Sequence, residues 1–175
     1  MRKPIFLMFV IVLFSYCKNN DKSKPTEPVF DTTTKYNYPY TPKHPVKWKV
    51  GDQKYSVLVL NFLKKYIGRD VKGEMEYLAD SLEFKADKFY FKGKKEKLYP
   101  KLKRFRKYRH NITTNFEKWM SAYYPESKDS RVTVWYLEKW ENSVGKKDSI
   151  YYTDDVLLRQ GKIVVFDEKI RHFPE

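Results

Sequence analysis

The sequence predicts an α+β domain in which helices pack on one face of a curved antiparallel sheet. Apolar residues recur at three- and four-residue spacing in the first half of the chain and alternate with polar residues in the second half. Aromatic residues make up 18% of the 175 positions, which excludes disorder for most of the length. One cysteine excludes a disulfide framework and a cysteine-based zinc site.

The N-terminus has the layout of an export signal. Arg2 and Lys3 precede an unbroken apolar run at 5–14, and the chain turns polar directly after Cys17. A transmembrane helix needs about 20 apolar residues, so this run is too short to cross a bilayer. We therefore predict that residues 1–16 are a signal peptide.

The only cysteine of the chain lies where the apolar run ends. The segment Leu13-Phe14-Ser15-Tyr16-Cys17 resembles the lipobox of bacterial lipoproteins. The resemblance implies that Cys17 is lipidated and becomes the first mature residue. The alternative is an ordinary signal peptide with an incidental cysteine. On the lipoprotein interpretation we expect an envelope protein anchored to a membrane, preferably the outer membrane.

Residues 17–49 are predicted to be a tether. Five prolines fall within it, and proline stiffens a chain and removes hydrogen-bond donors: Pro25, Pro28, Pro39, Pro42 and Pro45. The folded domain is then expected to occupy residues 50–175.

Two helices are predicted at the start of this domain. Asp52 can cap a helix whose apolar face follows at three- and four-residue spacing and which Gly68 ends. Asp70 can cap a second, shorter helix with Leu78 on its inner side.

Two short strands within 82–92 and a basic helix at 94–110 follow. After Asn111 the alternation predicts a meander of antiparallel strands, with turns between them, at 113–124, 131–140, 149–159 and 163–173.

The ordered set of segments at 62–70, 77–84 and 155–163 resembles the nuclear transport factor 2-like superfamily, specifically its SnoaL-like branch in bacterial lipoproteins. The helix, the break at an Asp, the Leu-Ala-Asp entry into a strand and the closing Gly-Lys-Ile hairpin carry the likeness. It covers about residues 50–173. The implied fold is a cone, or cystatin-like roll, of three helices on a curved sheet. In enzymes of this fold ligands lie in the cavity at the wide end.

The resemblance also identifies positions where catalytic groups would lie. Ala86 and Phe62 stand at the positions of the base and the Tyr donor of ketosteroid isomerases, so that activity is excluded. Asp155 matches an acid of SnoaL-like cyclases. Glu168 stands at the second position of a His–Asp pair whose first is Phe166 here. Asp155 and Glu168 are the candidate acid–base pair; the alternative is that both carboxylates are structural.

Aromatic residues are candidates for the lining of the cavity, although core packing alone explains most of them. We select Phe62, Tyr66, Phe84, Trp119, Trp135, Tyr151 and Phe166. Trp119 and Trp135 lie in mid-strand and are also predicted to be structural core residues.

The third predicted helix is strongly basic, and the net charge of the chain is +14. Its surface residues are predicted to be Lys101, Arg104, Lys107 and Arg109. These charges form either a solvated face or a surface that binds an anionic envelope component. An exported protein has little access to nucleic acid, so we do not expect that partner.

Two functions stay open. The first is non-catalytic binding of a small apolar ligand or an envelope partner by a lipid-anchored domain, and we favour it. The second is a small cyclase- or dehydratase-type enzyme. We expect no cofactor and no metal in either case, and exposed strands of the meander make a homodimer an additional expectation.

Overall fold

The computed structural model describes residues 47–172 and, ahead of them, residues 37, 39–41 and 43. The predicted signal peptide, Cys17 and most of the tether lie outside the described residues.

Three helices and seven strands make up residues 49–172. In chain order they are β1 (Lys49–Val50), α1 (Gln53–Ile67), α2 (Val71–Met75), β2 (Leu78–Ala86), β3 (Phe89–Lys94), α3 (Lys95–Phe105), a 3-10 turn (Arg106–Tyr108), β4 (His110–Tyr124), β5 (Asp129–Glu141), β6 (Lys147–Arg159) and β7 (Lys162–His172).

The first two helices begin at the predicted aspartates. The Asp52 carboxylate accepts a hydrogen bond from the backbone N–H of Lys54 at 2.9 Å, and the Asp70 carboxylate accepts one from Gly73 at 2.8 Å. Each cap satisfies a backbone donor that has no partner within the helix.

The seven strands form one curved, open sheet in the order β1-β4-β5-β6-β7-β2-β3. The predicted α+β class is confirmed. All neighbouring strands are antiparallel except β2 and β7, which pair in parallel with Phe84 opposite Phe166 and Ala86 opposite Glu168. This pair joins the early hairpin to the late meander, so both halves of the chain contribute to one inner face.

Two predicted boundaries were wrong. Leu78 is not on the second helix but is the fully buried first residue of β2. The basic helix ends at Phe105, where a 3-10 turn replaces it.

The helices cover one end of the inner face of the sheet. Helix α1 packs against β4 and β5, and α3 packs against β2 and β3. The buried core lies between them and includes Val59, Phe62, Leu98, Tyr136, Tyr152 and Phe166. Among the described residues, no helix has the length and apolar character required to cross a membrane.

Candidate functional site

A cavity of about 430 Å³ lies between the helices and the inner face of the sheet. Its walls come from α1, α2, β2, the β2–β3 turn, β3, α3, the 3-10 turn, β5 and β7. Aromatic residues are the largest group in the lining: Phe62, Tyr66, Phe84, Phe89, Phe105, Tyr108, Tyr136 and Phe166. A cavity of this size and lining suits a small, mostly apolar molecule.

The apolar wall is a connected set of rings. The Phe166 ring stacks on Phe84 with centroids 4.8 Å apart and contacts Phe62 at 5.4 Å. Phe89 continues the set, 6.1 Å from Phe84 and 5.0 Å from Phe105. Ring packing of this kind fixes the shape of the wall before any ligand enters.

Glu168 on β7 places a carboxyl group in this apolar lining. It stands in register with Ala86 of β2 on one side and Asp154 of β6 on the other. Among the described residues its carboxyl group forms no hydrogen bond or ion pair. Burial raises its pKa to about 7, and the nearby Arg109 partly offsets that rise. Glu168 is therefore a group that gains and loses a proton near neutral pH.

Asp154 is the acid that lies next to Glu168. It is fully buried, and its Oδ2 accepts a hydrogen bond from the Tyr136 hydroxyl at 3.0 Å, while Oδ1 has no partner among the described residues. Burial, with the Glu168 charge as the next cause, raises the pKa of Asp154 well above its usual range. Two adjacent carboxyls in a dry site resist being charged together, so this pair favours sharing one negative charge at most.

An arginine lies at the wall beside these acids. Arg109 Nη1 donates to Glu138 Oε1 at 2.7 Å and to the Tyr152 hydroxyl at 2.6 Å, and its guanidinium lies 4.2 Å from the centroid of the Trp140 ring. The Tyr66 hydroxyl donates to the same Glu138 oxygen at 3.4 Å. This network holds the Arg109 charge in one place, because each contact restricts the planar guanidinium.

A second buried ion pair supports the floor of the cavity. Arg106 Nη2 donates to Glu74 Oε1 at 2.7 Å, and the Arg106 guanidinium lies 3.3 Å from the centroid of the Tyr66 ring. Burial raises the pKa of Glu74, and Arg106 counters the rise. The pair ties α2 to the turn after α3.

Four of the seven aromatic candidates line the cavity, namely Phe62, Tyr66, Phe84 and Phe166. The other three do not. Trp135 and Tyr151 lie on the outer face of the sheet, opposite to Tyr136 and Tyr152. Trp119 is opposite Val134, but 47% of it is exposed and it is not a core residue.

Asp155 and Glu168 are not brought together. Asp155 points to the outer face, where it accepts a hydrogen bond from Thr133 Oγ1 at 2.7 Å and pairs with Lys169. Successive residues of a strand face opposite sides, so the neighbouring Asp154 takes the inward position.

The basic candidates also divide. Lys101, Arg104 and Lys107 are exposed, whereas the Arg109 side chain turns inward to Glu138. Sequence reasoning did not select Asp154, Glu138, Glu74 or Arg106 for the site. The signal available for Asp154 was its even spacing from the apolar residues Ile150, Val156 and Leu158.

A metal site has no support among residues 47–172, where no group of three His, Cys, Asp or Glu side chains is placed to hold an ion. The cavity instead has a largely aromatic wall that also carries the titratable Glu168 carboxyl and the fixed Arg109 guanidinium.

Comparison with known proteins places the fold. No protein-family model matches the chain, and no curated protein matches it in sequence. Solved structures match the chain in fold. AusH from Aspergillus nidulans superposes with a TM-score of 0.57 at 12% identity, over 70% of this chain and 87% of that one. An LEH-like epoxide hydrolase of M. tuberculosis gives 0.55 at 12% identity, over 68% and 84%.

A third structure carries the superfamily in its description. An NTF2-like protein of unknown function from Burkholderia pseudomallei gives a TM-score of 0.53 at 12% identity, over 67% of this chain and 90% of that one. The chain therefore has the nuclear transport factor 2-like fold, as the sequence resemblance implied. The fold is shared by enzymes and by proteins without a known activity, so it does not by itself assign a function.

Proposed function

We propose that the domain binds a small, mostly apolar molecule in the cone cavity, without catalysis. The observation that carries the proposal is the cavity of about 430 Å³, lined largely by aromatic rings, between the sheet and the helices. Aromatic walls gain free energy when they exclude water, by about 25 cal/mol for each Å² of apolar surface removed from solvent.

The polar groups at the wall suggest how such a ligand is oriented. The Glu168 carboxyl has no hydrogen-bond partner among the described residues, and a ligand hydroxyl or amide N–H can donate to it. Arg109 is already engaged by Glu138 and Tyr152, so it contributes charge more than free donors. The preferred ligand is then an apolar body with one hydrogen-bond donor.

A neutral fluorescent probe tests the binding function. N-phenylnaphthylamine brightens in apolar surroundings, and we expect saturable binding to the chain from Lys18 onward. Every core residue lies between Val59 and Phe166, so this chain retains the whole core.

The matched variants lie on one strand. Ala86→Leu places extra volume in the cavity and should reduce probe affinity at least about tenfold, whereas Lys85→Leu adds a leucine on the opposite face of β2 and should leave affinity unchanged. Equal probe affinity in the two variants, or absence of saturable binding, would contradict the proposal.

A second candidate function is an acid–base enzyme of the cyclase or dehydratase kind. The observation that favours it is the Glu168 carboxyl, whose pKa of about 7 suits a general base or acid at neutral pH. Asp154 replaces Asp155 as its neighbour in this scheme. In the base form Glu168 would take a proton from a carbon next to a ligand carbonyl, and the Glu168 acid would return it.

Exchange of β-tetralone α-protons in D₂O tests this scheme, because exchange needs only a base in an apolar site. Acceleration over buffer that Glu168→Gln abolishes would support an enzyme. A rate equal to that of buffer would leave non-catalytic binding as the function.

We also propose that the domain is held at a bacterial membrane, the outer membrane in preference, by a lipid on Cys17. The support is the sequence pattern of the export signal and the lipobox-like segment. Two or more acyl chains on one residue are sufficient for stable anchoring, at about 0.8 kcal/mol per buried methylene.

A further inference from the structure

The stretch from residue 88 to residue 109 carries more positive charge than the domain neutralises. Three of its cations form ion pairs: Lys95 with Asp80, Arg106 with Glu74, and Arg109 with Glu138. The side chains of the rest form no ion pair or hydrogen bond with a described residue: Lys88, Lys92, Lys94, Lys97, Lys101, Lys103, Arg104 and Lys107. Glu96 is the only acid in the stretch, and Asp87 directly precedes it. The stretch therefore keeps a net positive charge.

Part of this charge lies beside the cavity. On α3, Lys97, Lys101 and Arg104 follow at four- and three-residue spacing, which places them on one side of the helix. Phe105 is adjacent to that side because it follows Lys101 by one turn. Phe105 lines the cavity and is nevertheless 47% exposed. The basic side of α3 therefore borders the opening.

The other parts of the border are also basic and aromatic, with one exposed acid, Asp87, among them. Tyr108, in the 3-10 turn, lines the cavity and is 57% exposed, and Lys107 precedes it. Across the opening, Lys88 in the β2–β3 turn lines the cavity, and its neighbour Phe89 contacts the Phe105 ring. We call this set the rim: Lys88, Lys101, Arg104, Phe105, Lys107 and Tyr108.

We propose that the rim docks on an anionic phospholipid surface, with the mouth of the cavity turned toward the bilayer. Four cations attract anionic headgroups, and their attraction acts within a Debye length of about 8 Å at physiological salt. Exposed aromatic rings are stable at the level of the headgroups, where one side is apolar and the other wet. The rim combines both features around an apolar opening.

The arrangement fits a lipid surface better than a nucleic acid. Proteins that bind single strands place cations along a groove that tracks the backbone, with rings on which successive bases stack. Here the cations lie at the border of one cavity, Lys88 in the β2–β3 turn and the others on α3 and the 3-10 turn, and the rings belong to the cavity wall.

Vesicle sedimentation tests the proposal with the unacylated chain from Lys18 onward. We expect binding to vesicles of phosphatidylglycerol and phosphatidylcholine in equal parts at low salt, and much weaker binding to phosphatidylcholine alone. Raising the salt from about 0.01 M to about 1 M shortens the Debye length from about 30 Å to about 3 Å and should release the protein.

The rim variant replaces Lys88, Lys101, Arg104 and Lys107 with Gln. Each lost charge is expected to weaken vesicle binding about fivefold, so the variant should bind at least about a hundredfold more weakly. A control variant replaces four other exposed lysines with Gln and removes the same total charge: Lys47, Lys49, Lys128 and Lys139. It should bind within about tenfold of the parent.

Three outcomes would overturn the proposal. One is equal binding by the rim and control variants, which would reduce the effect to net charge. Another is equal binding to neutral and anionic vesicles. The third is tighter binding to single-stranded DNA than to anionic vesicles at the same salt.

Binding of N-phenylnaphthylamine separates docking from the proposed cavity function. The rim variant retains the aromatic wall, so it should bind the neutral probe like the parent while losing the vesicles. A variant that loses both, with a lowered melting temperature, has lost its fold. The triple variant Lys101→Gln, Arg104→Gln and Lys107→Gln then serves instead, because these exposed side chains do not line the cavity, and it should lose vesicle binding while it retains probe binding.

Discussion

Asp154 and Glu168 stand opposite each other on neighbouring strands, both directed to the inner face of the sheet. Only Glu168 reaches the cavity; Asp154 lies beneath Tyr136. Glu168 is thus available to a ligand, while Asp154 acts on Glu168 through its charge. This relationship gives the site its dependence on pH.

The first prediction concerns stability and pH. Glu168 has a pKa of about 7 in the folded chain and about 4.3 when unfolded, so between these values the folded state holds more protons. Stability should therefore fall as pH rises from about 4.5 to about 7, by about 1.4 kcal/mol for each unit of raised pKa. Urea unfolding of the parent and of Glu168→Gln across this range measures the difference.

Glu126→Gln is the control for that experiment, because this glutamate is exposed in the β4–β5 turn. The control should follow the parent, whereas Glu168→Gln should gain stability relative to the parent as pH rises. A parallel course of all three proteins would show that Glu168 is not perturbed by burial.

The second prediction concerns the buried pair of Arg106 and Glu74. Arg106→Met leaves the Glu74 carboxylate without its partner and should destabilise the domain by about 3–5 kcal/mol in urea unfolding. The double variant with Glu74→Leu should recover much of that loss, since no buried charge remains. Lys95→Met, which breaks the more exposed pair with Asp80, should cost less than about 1 kcal/mol. Equal losses in the two single variants would refute the distinction.

The third prediction separates core from exposed aromatic residues. Phe166 is 2% exposed and stacks on Phe84, so Phe166→Ala should cost about 3–5 kcal/mol. Trp119→Ala should cost at most about 1 kcal/mol, because half of that side chain already meets solvent. Thermal melting compares the stability losses of the two variants. A larger loss for Trp119→Ala than for Phe166→Ala would show that Trp119 is a core residue.

The fourth prediction concerns the anchor. Cys17→Ala removes the acylation site and should move the protein from the membrane fraction to the soluble fraction of the expressing cell. Incorporation of labelled palmitate should disappear with it. Retention of the variant in salt-washed membranes would show that the lipid is not what holds the protein there.

The positions of helices and strands could be predicted because burial leaves a period in the sequence. The strands after residue 111 followed from that period, whereas the caps at Asp52 and Asp70 followed from the residue type. The direction of individual side chains on β7 could not be predicted in the same way. A bulge at Val164 shifts the register, so that Ile163 and Phe166 both face inward although they are three residues apart.

The inward-facing arginines were missed for a different reason. Arg106 follows Leu102 by four residues and Arg109 follows Phe105 by four, so helical spacing places both on the side of the apolar stripe. Their charge favoured a surface position, but acids of α2 and β5 accept hydrogen bonds from the two side chains and compensate for their burial. These partners lie far away in sequence, so the local pattern does not identify them.

The parallel pairing of β2 with β7 has a consequence for the order of assembly. Phe84 meets Phe166 only after every intervening strand has been synthesised, and the cavity has no far wall until then. Contacts of such long sequence separation form slowly, because closing the loop costs entropy before the contact rewards it. The β2–β3 hairpin and α3 therefore expose apolar surface until the C-terminal strand has formed. Exposed apolar surface promotes aggregation, so a chaperone that covers these segments would favour correct folding.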